Sequence, residues 1–519
     1  MCHDFRYDDT AAIVETDKGK IKGYLYDGVC IFKGVPYAQA LRFHAPQPVD
    51  PWEGILDATN YGYVSPLLDL PKPTGELLVP HRFWVMNENC QNLNIWTPGC
   101  DDAKRPVLVW LHGGGYEAGS AIEQIAYEGE NMCRNGQVVV VSINHRLNIL
   151  GFLDLSSFGE EYANSGNAGM DDIIAALKWI RENIEQFGGD PDNVTLFGQS
   201  GGGGKLTTLL QMPAADGLYT RMISMSGVLQ GDLADSPGSG EKIVKEIMKA
   251  LSIQDVKELE NIPYEQLAKA YNEIRPKMQK EGEYVGGCPN PNAYYRGTPF
   301  IYGFREETAH VPMMIGSVFG EFASFMPHEY NKSCLAREEE IKIVENMVGK
   351  ELAGELIESF EKSYPERHIS DVLLMDYMFR IPTKEYIRMR SVGNDHTYAY
   401  LFNQDMPING GEVPWHCADI PYIFHNTELV PVTQDGTLTA ILEKQIFECA
   451  IAFAKTGDPN HAYIPNWPHS TAQNEYTLMF DGNIRVLCDH DKELLPVVSK
   501  CIGPVFSERL LNSMGNMQH

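Results

Sequence analysis

The chain has 519 residues, of which 43% are hydrophobic and 22% are charged, as in globular proteins that bury a large core. Its formal net charge of −28 argues against nucleic acid or an anionic membrane surface as a partner. No run of eighteen apolar residues occurs, so we expect no membrane-spanning helix, and the eleven cysteines contain no C-x-x-C pair that would indicate a zinc ribbon.

The ends of the sequence and the cysteine count lead to a prediction about location. The first residues, MCHDFRYDDT, lack the apolar segment of a secretory signal, and the last residues, NSMGNMQH, match no retention or lipidation signal. An odd number of cysteines does not indicate a disulfide framework. We therefore expect a cytoplasmic protein.

The predicted elements change in character along the chain. The first fifty residues alternate between apolar and polar residues, which predicts short antiparallel strands joined by glycine and Asp-Gly turns. Continuous apolar β-branched runs follow, typical of strands buried on both faces. These strands are predicted at 106–111, 138–143, 193–197, 221–227, 311–318, 396–402 and 476–482.

Helical patterns separate these strands. Apolar residues at helical spacing predict helices at 171–187 and 440–457. The charged segment 240–280 also predicts helices, which would either cover one end of the sheet or pack at its periphery. Strands that alternate with helices are typical of an α/β protein with a mostly parallel sheet.

The segment NVTLFGQSGGGGKLTTLL, residues 193–210, passes from an apolar strand directly into a serine surrounded by glycines. Glycines weaken a helix, so a run of them at a helix start indicates a sharp turn or a close contact between backbones. The pattern formed by Gly198, Ser200 and Gly202 is typical of a nucleophile held between a strand and a helix. A glycine-rich turn with an incidental serine is the alternative.

A second glycine-rich segment, LVWLHGGGYEAG, occupies residues 108–119. His112, Gly113, Gly114 and Gly115 follow a predicted strand and resemble the loop that supplies N–H groups to an oxyanion in lipases and esterases. Glycines suit this role because a substrate carbonyl must come within about 3 Å of bare backbone. A phosphate-binding loop is the alternative, but the sequence lacks the G-x-x-x-x-G-K-[ST] pattern.

A serine hydroxyl becomes a nucleophile when a base removes its proton and a carboxylate orients that base, in the expected chain order serine, acid, histidine. His416 lies on a loop after the predicted strand 396–402 and is the candidate base. Glu321 follows the preceding strand, in MIGSVFGEFASF, and is the candidate acid. Asp405 and Glu412, on the loop of His416, are the alternatives.

Taken together, these motifs resemble the type B carboxylesterases, a family of α/β-hydrolases that includes cholinesterases and bacterial p-nitrobenzyl-type esterases. The shared motifs extend over nearly the whole chain and include ENCQNLNIWTP, VVVVSINHRLNILGFL, NAGMDDIIAALKWIRENIEQFGGDP, GQSGG, GSVFGE and WHCADIPYIF. The resemblance implies an α/β-hydrolase fold, with helices flanking a mostly parallel sheet, as a single domain over residues 1–519.

The resemblance also implies roles for particular residues. Ser200 would be the nucleophile, Glu321 the acid and His416 the base of a catalytic triad. The oxyanion donors would be the N–H groups of Gly114, Gly115 and Gly201. No metal or cofactor is expected.

Ser226 would lie near the acid, according to the same resemblance, although a role in capping the end of its strand suits this serine equally. Four aromatic residues near the motifs are candidates for the wall of the substrate cavity: Tyr116, Phe319, Phe322 and Trp415.

Three positions depart from the family pattern. Gln199 is neutral where glutamate is common, which weakens the case for quaternary ammonium substrates. Gly201 stands where alanine is usual but keeps its N–H. Cys90 occupies the place of half a disulfide in secreted relatives, yet no cysteine lies between Cys30 and Cys90 to pair with it. We expect that disulfide to be missing, as suits a cytoplasmic bacterial enzyme.

We therefore predict a serine hydrolase that cleaves small-molecule carboxylic esters, without nucleic acid or membrane partners. Three alternatives stay open. The same triad could cleave carbamates or amides, the enzyme could be an interfacial lipase, or the chain could be a non-catalytic adhesion protein of this fold.

Overall fold

The central feature of the fold is a twelve-stranded mixed sheet, in a computed structural model that describes residues 5–6, 10, 12–68, 79–323 and 330–504. The strands, in chain order, are β1 (Phe5–Arg6), β2 (Ile13–Glu15), β3 (Lys20–Lys22), β4 (Tyr24–Tyr26), β5 (Val29–Pro36), β6 (Ile55–Asp57), β7 (Asn92–Thr97), β8 (Arg105–Leu111), β9 (Val139–Ile143), β10 (Gly189–Gln199), β11 (Arg221–Met225), β12 (Met313–Val318), β13 (Thr397–Phe402), β14 (Tyr476–Phe480) and β15 (Arg485–Cys488). Strands β2, β3 and β6 form a separate small sheet.

Helices connect the strands of the large sheet. They are α1 (Glu130–Gly136), α2 (Asn148–Phe152), α3 (Ala168–Asn183), α4 (Gly201–Leu209), α5 (Glu241–Ala250), α6 (Tyr264–Lys280), α7 (Pro299–Tyr302), α8 (Arg337–Val348), α9 (Lys350–Ser363), α10 (Arg380–Arg390), α11 (Ile420–Ile423) and α12 (Gly436–Thr456). Within the described ranges, no helix is long and apolar enough to cross a membrane.

The order of strands in the large sheet is β1-β4-β5-β7-β9-β8-β10-β11-β12-β13-β14-β15. Strands β8 to β14 pair in parallel, whereas the strands at both edges pair antiparallel. Because β8 lies between β9 and β10, the direction of the strand order reverses there. In open α/β sheets, ligands bind at the carboxyl ends of the strands next to such a reversal.

The core lies on both faces of this sheet. Along β8, Val107 and Val109 belong to the cluster that includes buried residues of α3 and α4. Leu108 and Trp110 point to the opposite face and belong to the cluster with α12. Burial on both faces explains why these strands are continuous apolar runs rather than alternating ones.

These elements confirm the predicted α/β-hydrolase fold, with its mostly parallel sheet. The predicted Asp-Gly turn joins antiparallel β4 and β5, and Asp27 and Gly28 both have positive φ angles, as such a hairpin turn requires. The charged segment 240–280 forms α5 and α6, which pack around a separate apolar cluster that includes Ile149 and Leu153.

Candidate active site

Ser200 lies between the end of β10 and the start of α4, in a strained backbone conformation. Its φ and ψ angles are 55° and −127°, a region that residues other than glycine rarely adopt and that costs about 1–3 kcal/mol. The Ser200 N–H donates to the carbonyl of Met225 at 2.8 Å, and the Ser200 carbonyl accepts from the N–H of Gly204 at 2.9 Å. Both bonds fix the turn so that the half-buried serine stands at its tip.

The glycines around Ser200 are required by close backbone contacts. A Cβ on Gly202 would lie 2.0 Å from the carbonyl oxygen of Leu111, and a Cβ on Gly198 would lie 2.6 Å from the carbonyl carbon of Gly202. No side chain fits between these backbones. The glycine run therefore has the steric origin that the sequence indicated.

The loop of Gly113, Gly114 and Gly115 follows β8, the neighbour of β10, and touches the turn at Ser200. Gly114 and Gly115 have φ angles of 81° and 63°, which favour glycine. A Cβ on Gly113 would lie 3.4 Å from Cβ of Ser200, and a Cβ on Gly201 would lie 2.1 Å from the carbonyl oxygen of Gly115. The two glycine-rich segments are thus in direct backbone contact.

The N–H groups of Gly114, Gly115 and Gly201 donate to no protein acceptor in the part of the chain that the structure describes. Gly201 is buried, Gly115 is half-buried and Gly114 is exposed. Three such N–H groups next to one serine can donate hydrogen bonds to a negatively charged oxygen of a ligand.

His416 and Glu321 form the shortest contact of the site. His416 Nδ1 lies 2.5 Å from Glu321 Oε2, and the main-chain N–H of His416 donates to the carbonyl of Glu321 at 3.0 Å. The Glu321 side chain is fully buried, and its Oε1 accepts from the N–H of Val318 at 2.9 Å. A proton held on Nδ1 by the carboxylate leaves the lone pair of Nε2 as the acceptor.

Gln199 lies between the imidazole and the nucleophile turn. Its amide Nε2 is 3.2 Å from His416 Nε2, and its Oε1 accepts from Cys417 Sγ at 3.2 Å. Among the described residues, the Ser200 hydroxyl makes no hydrogen bond, either to His416 or to another group. The structure therefore joins Glu321 to His416 and brings His416 to the residue that precedes Ser200.

Two phenylalanines stack on the His416 ring. The ring centroids of Phe379 and Phe322 lie 5.4 Å and 6.4 Å from that of His416, with interplanar angles of 30° and 7°. Of the four aromatic candidates for the cavity wall, Phe322 is thus the one that faces the histidine. Phe319 and Tyr116 lie in the core, and Trp415 is also buried.

Two buried carboxyls near Glu321 were missed by the sequence analysis. Burial, followed by the negative charge of Glu321, raises the pKa of Asp376 to about 8 and that of Asp419 to about 7. The backbone N–H groups at the start of α10 bind Asp376, and Tyr400 Oη donates to Asp419 Oδ2 at 2.9 Å. Asp419 follows His416 by three residues, and this spacing was the one available signal.

Two further sequence predictions concern Ser226 and Cys90. The N–H of Ser226 donates to the carbonyl of Gly316 at 2.7 Å, just after β11. Its hydroxyl has no hydrogen-bond partner among the described residues, so the structure shows no bond between Ser226 and Glu321. Cys90 is a buried free thiol.

Comparisons with known proteins identify relatives over nearly the whole chain. The carboxylesterase family matches residues 10–493. The solved structure of an esterase from the anaerobe Clostridium hathewayi, which can hydrolyse aliphatic aromatic polyesters, is 47% identical, has a TM-score of 0.94, and covers 96% of this chain and 100% of that chain.

Two curated enzymes are also similar. Para-nitrobenzyl esterase of Bacillus subtilis (strain 168) is 32% identical over 495 residues, which cover 93% of this chain and 98% of the relative. Phenmedipham hydrolase of Pseudarthrobacter oxydans is 30% identical over 504 residues, which cover 91% of this chain and 95% of the relative.

Proposed function

Because the chain belongs to the carboxylesterase family, which makes it a carboxylic ester hydrolase, we propose that it cleaves esters through an acyl-enzyme on Ser200. In this proposal His416 is the base and acid, Glu321 orients and stabilises it, and Gly114, Gly115 and Gly201 supply the oxyanion donors. In the same proposal the substrates are small-molecule esters and the location is cytoplasmic.

The reaction proceeds in two matched halves. His416 Nε2 takes the proton of Ser200 as Oγ attacks the ester carbonyl, and the carbonyl oxygen becomes an oxyanion that accepts from the three glycine N–H groups. His416 then gives its proton to the leaving alcohol, and an acyl-enzyme remains. Water attacks this acyl-enzyme by the same steps, which releases the carboxylic acid and restores Ser200.

The 2.5 Å contact between His416 and Glu321 beside the strained Ser200 turn carries this proposal. A buried carboxylate with a histidine partner stabilises the imidazolium that forms when the serine proton is taken. In enzymes without substrate, catalytic hydrogen bonds are often long and shorten only in the complex. Release of His416 Nε2 from the Gln199 amide would free its lone pair for Ser200.

The test compares two serine variants. Ser200→Ala should lower kcat for p-nitrophenyl acetate by at least about 10⁴-fold, since loss of a triad nucleophile removes most of the catalysis. Ser157→Ala is the matched control, since Ser157 is exposed and we expect unchanged rates. If Ser200→Ala keeps the activity of the control, the assignment of the nucleophile is wrong.

A second candidate substrate class is the aliphatic aromatic polyesters, which the relative from Clostridium hathewayi can hydrolyse. The observation that favours it is a run of exposed apolar side chains: Phe83, Trp84, Val85 and Met86 are exposed by 71%, 42%, 62% and 43%. His81, just before this run, pairs with Gln124 on the chain that follows the oxyanion loop. Large exposed apolar patches mark binding surfaces.

Release of soluble product from a polyester film tests this class. The variant Phe83→Ser with Val85→Ser should lower the rate on the film several-fold and leave kcat/KM for p-nitrophenyl acetate unchanged. A wild-type enzyme that cleaves p-nitrophenyl acetate but releases nothing from the film excludes polyesters as substrates.

A further inference from the structure

Lys205 is a fully buried lysine in α4, one turn after the nucleophile. Its Nζ donates to the main-chain carbonyl of His112 at 2.8 Å. Across the residues that the structure describes, no carboxylate forms an ion pair with it. An ammonium that is buried with one neutral acceptor destabilises a fold, so stability alone does not account for a lysine here.

The acceptor of Lys205 is the first residue of the oxyanion loop. His112 directly follows β8 and precedes Gly113, Gly114 and Gly115. On the other side of these glycines, Tyr116 Oη lies 3.0 Å from Thr208 Oγ1. Lys205 and Thr208 are three residues apart and therefore share one face of α4.

Helix α4 thus holds the glycine loop at both ends. Glycine has more backbone freedom than any other residue, so three in succession need external contacts to keep one conformation. Oxyanion donors act efficiently only when they are already in place before the reaction. Helix α4, which begins directly after Ser200, also supplies the contacts that fix the donors relative to Ser200.

Among the described residues, the titratable groups around Lys205 are His112, His145 and Glu123. The rings of His112 and His145 stack with centroids 5.0 Å apart, and each Nδ1 lies 2.9 Å from a main-chain carbonyl oxygen. Burial, and next the charge of Lys205, lower the pKa of both histidines well below the usual range, against the opposing effect of the hydrogen bonds of His112 to Gly113 and of His145 to Arg146. Burial lowers the pKa of Lys205 to about 7, against an opposing effect of Glu123.

We propose that Lys205 is a positioning residue, which holds the oxyanion loop through the carbonyl of His112 and so sets the rate of ester cleavage. This inference rests on the proposed function of the same site. A charged donor binds a carbonyl more strongly than a neutral amine does. The hydrogen bond from Lys205 to the loop is therefore strongest when Lys205 is protonated. It weakens as the pH rises and this lysine loses its proton.

The experiment compares Lys205→Met with a surface control. Methionine keeps the length and the apolar stem but removes the donor and the charge. Lys245→Met is the control, since the Lys245 side chain is 61% exposed on α5. For p-nitrophenyl acetate, Lys205→Met should lower kcat roughly 10- to 100-fold. This decrease is smaller than the roughly 10²- to 10³-fold decrease in kcat that follows the loss of an oxyanion donor. KM should change less than about threefold, and the control should match the wild type.

Two further readouts separate positioning from a structural role. Lys205→Met should unfold at the same or a higher urea concentration than the wild type, because it removes a buried charge. The wild-type kcat should decline on the alkaline side of neutral pH, and Lys205→Met should lack this decline.

Unchanged kcat in Lys205→Met overturns the inference, as does a wild-type kcat that stays level up to about pH 9, well above the lysine's titration. The pH profile of the wild-type kcat tests the inference even if the Lys205→Met protein does not fold. Ser200→Ala, measured in parallel, separates the two proposals: if it is active, the proposed function fails, and if it is inactive while Lys205→Met is fully active, only this inference fails.

Discussion

At the scale of single residues, Gly201 allows the oxyanion loop to approach Ser200 closely because it has no side chain. A Cβ here would lie 2.1 Å from the oxygen and 2.4 Å from Cα of Gly115, and both atoms belong to backbone. Gly201→Ala would therefore displace the loop, whatever its effect on helix stability.

We expect Gly201→Ala to lower kcat for p-nitrophenyl acetate on the order of 10²-fold, as when one oxyanion donor is lost. Gly354→Ala is the matched control, because a Cβ on this helical glycine of α9 meets nothing within 4 Å. Steady-state kinetics of both variants provide the measurement. A Gly201→Ala enzyme as fast as the control would show that the loop tolerates the extra carbon.

The buried carboxyl of Asp419 makes stability depend on pH. Its pKa is raised to about 7, mainly by burial and next by Glu321, whereas an unfolded chain releases this proton near pH 3.9. Between these values the folded protein binds more protons, so the free energy of unfolding falls as pH rises, by at most about 1.4 kcal/mol per pH unit. Below this window both states are protonated, and above it both are ionised.

Asp419→Asn should remove this dependence. The unfolding free energy of the wild type minus that of the variant should therefore decrease from about pH 4 to about pH 7 and then stay level. Urea unfolding of both proteins across this range provides the measurement. A difference that does not change with pH would contradict the shift assigned to Asp419.

The contact between Glu321 and His416 agrees with the places that chain order predicts for them, whereas the roles of Ser200, Glu321 and His416 stay predictions. Ser200, Glu321 and His416 each come after a predicted strand, and the carboxyl ends of parallel strands lie at one edge of a sheet. Lys205 and the contact between Gln199 and His416 could not be predicted. Both depend on which side chains the folded backbone brings together, and sequence spacing contains no such information for residues far apart.

At the scale of elements, apolar runs predicted the positions of the strands well. The spacing of apolar residues predicted the helices, but their boundaries less accurately. The helix predicted at 171–187 begins at Ala168 and ends at Asn183, and a 3₁₀ turn continues to Phe187. Gly188, with a φ angle of 72°, provides the predicted stop. The early start was missed because the helical spacing was followed only from Asp171, although Asn167, a residue type favoured at N-caps, directly precedes Ala168.

Helix α3 depends on a buried ion pair. Asp172 on α3 and Arg146, which follows β9, have side chains exposed by 0% and 2%, and Arg146 Nη2 lies 2.7 Å from Asp172 Oδ1. Arg146 also binds the carbonyl of His44 at 2.8 Å. The pair therefore ties the helix, the sheet and the N-terminal segment together.

Asp172→Asn should destabilise the fold by about 3–5 kcal/mol, because it leaves the buried guanidinium without its counter-ion. Glu241→Gln is the control, since it removes only an exposed ion-pair partner of Lys245. It should lower the free energy of unfolding by less than about 1 kcal/mol. The shift in the midpoint of urea unfolding measures both. Equal shifts in the two variants would contradict the structural role of the Arg146–Asp172 pair.

At the scale of the whole molecule, the reversal of strand order between β8 and β10 places both glycine-rich segments side by side. The large sheet contains strands from residue 5 to residue 488, which supports one domain over residues 1–519, although that interpretation stays a prediction. The fold class was predictable because buried parallel strands and intervening helices leave strong patterns. Helices α8 to α10 were not predicted, although in α9 the buried residues Ala353, Leu356, Ile357 and Phe360 recur at helical spacing.

The most direct test of the account locates the covalent intermediate. The protein is treated with a fluorophosphonate, digested and analysed by mass spectrometry, with His416→Ala measured in parallel. We predict one adduct, on Ser200, that forms in the wild type and forms far more slowly in His416→Ala. An adduct on another residue, or full esterase activity in a protein whose Ser200 stays unlabelled, would contradict the claim that this serine attacks the ester.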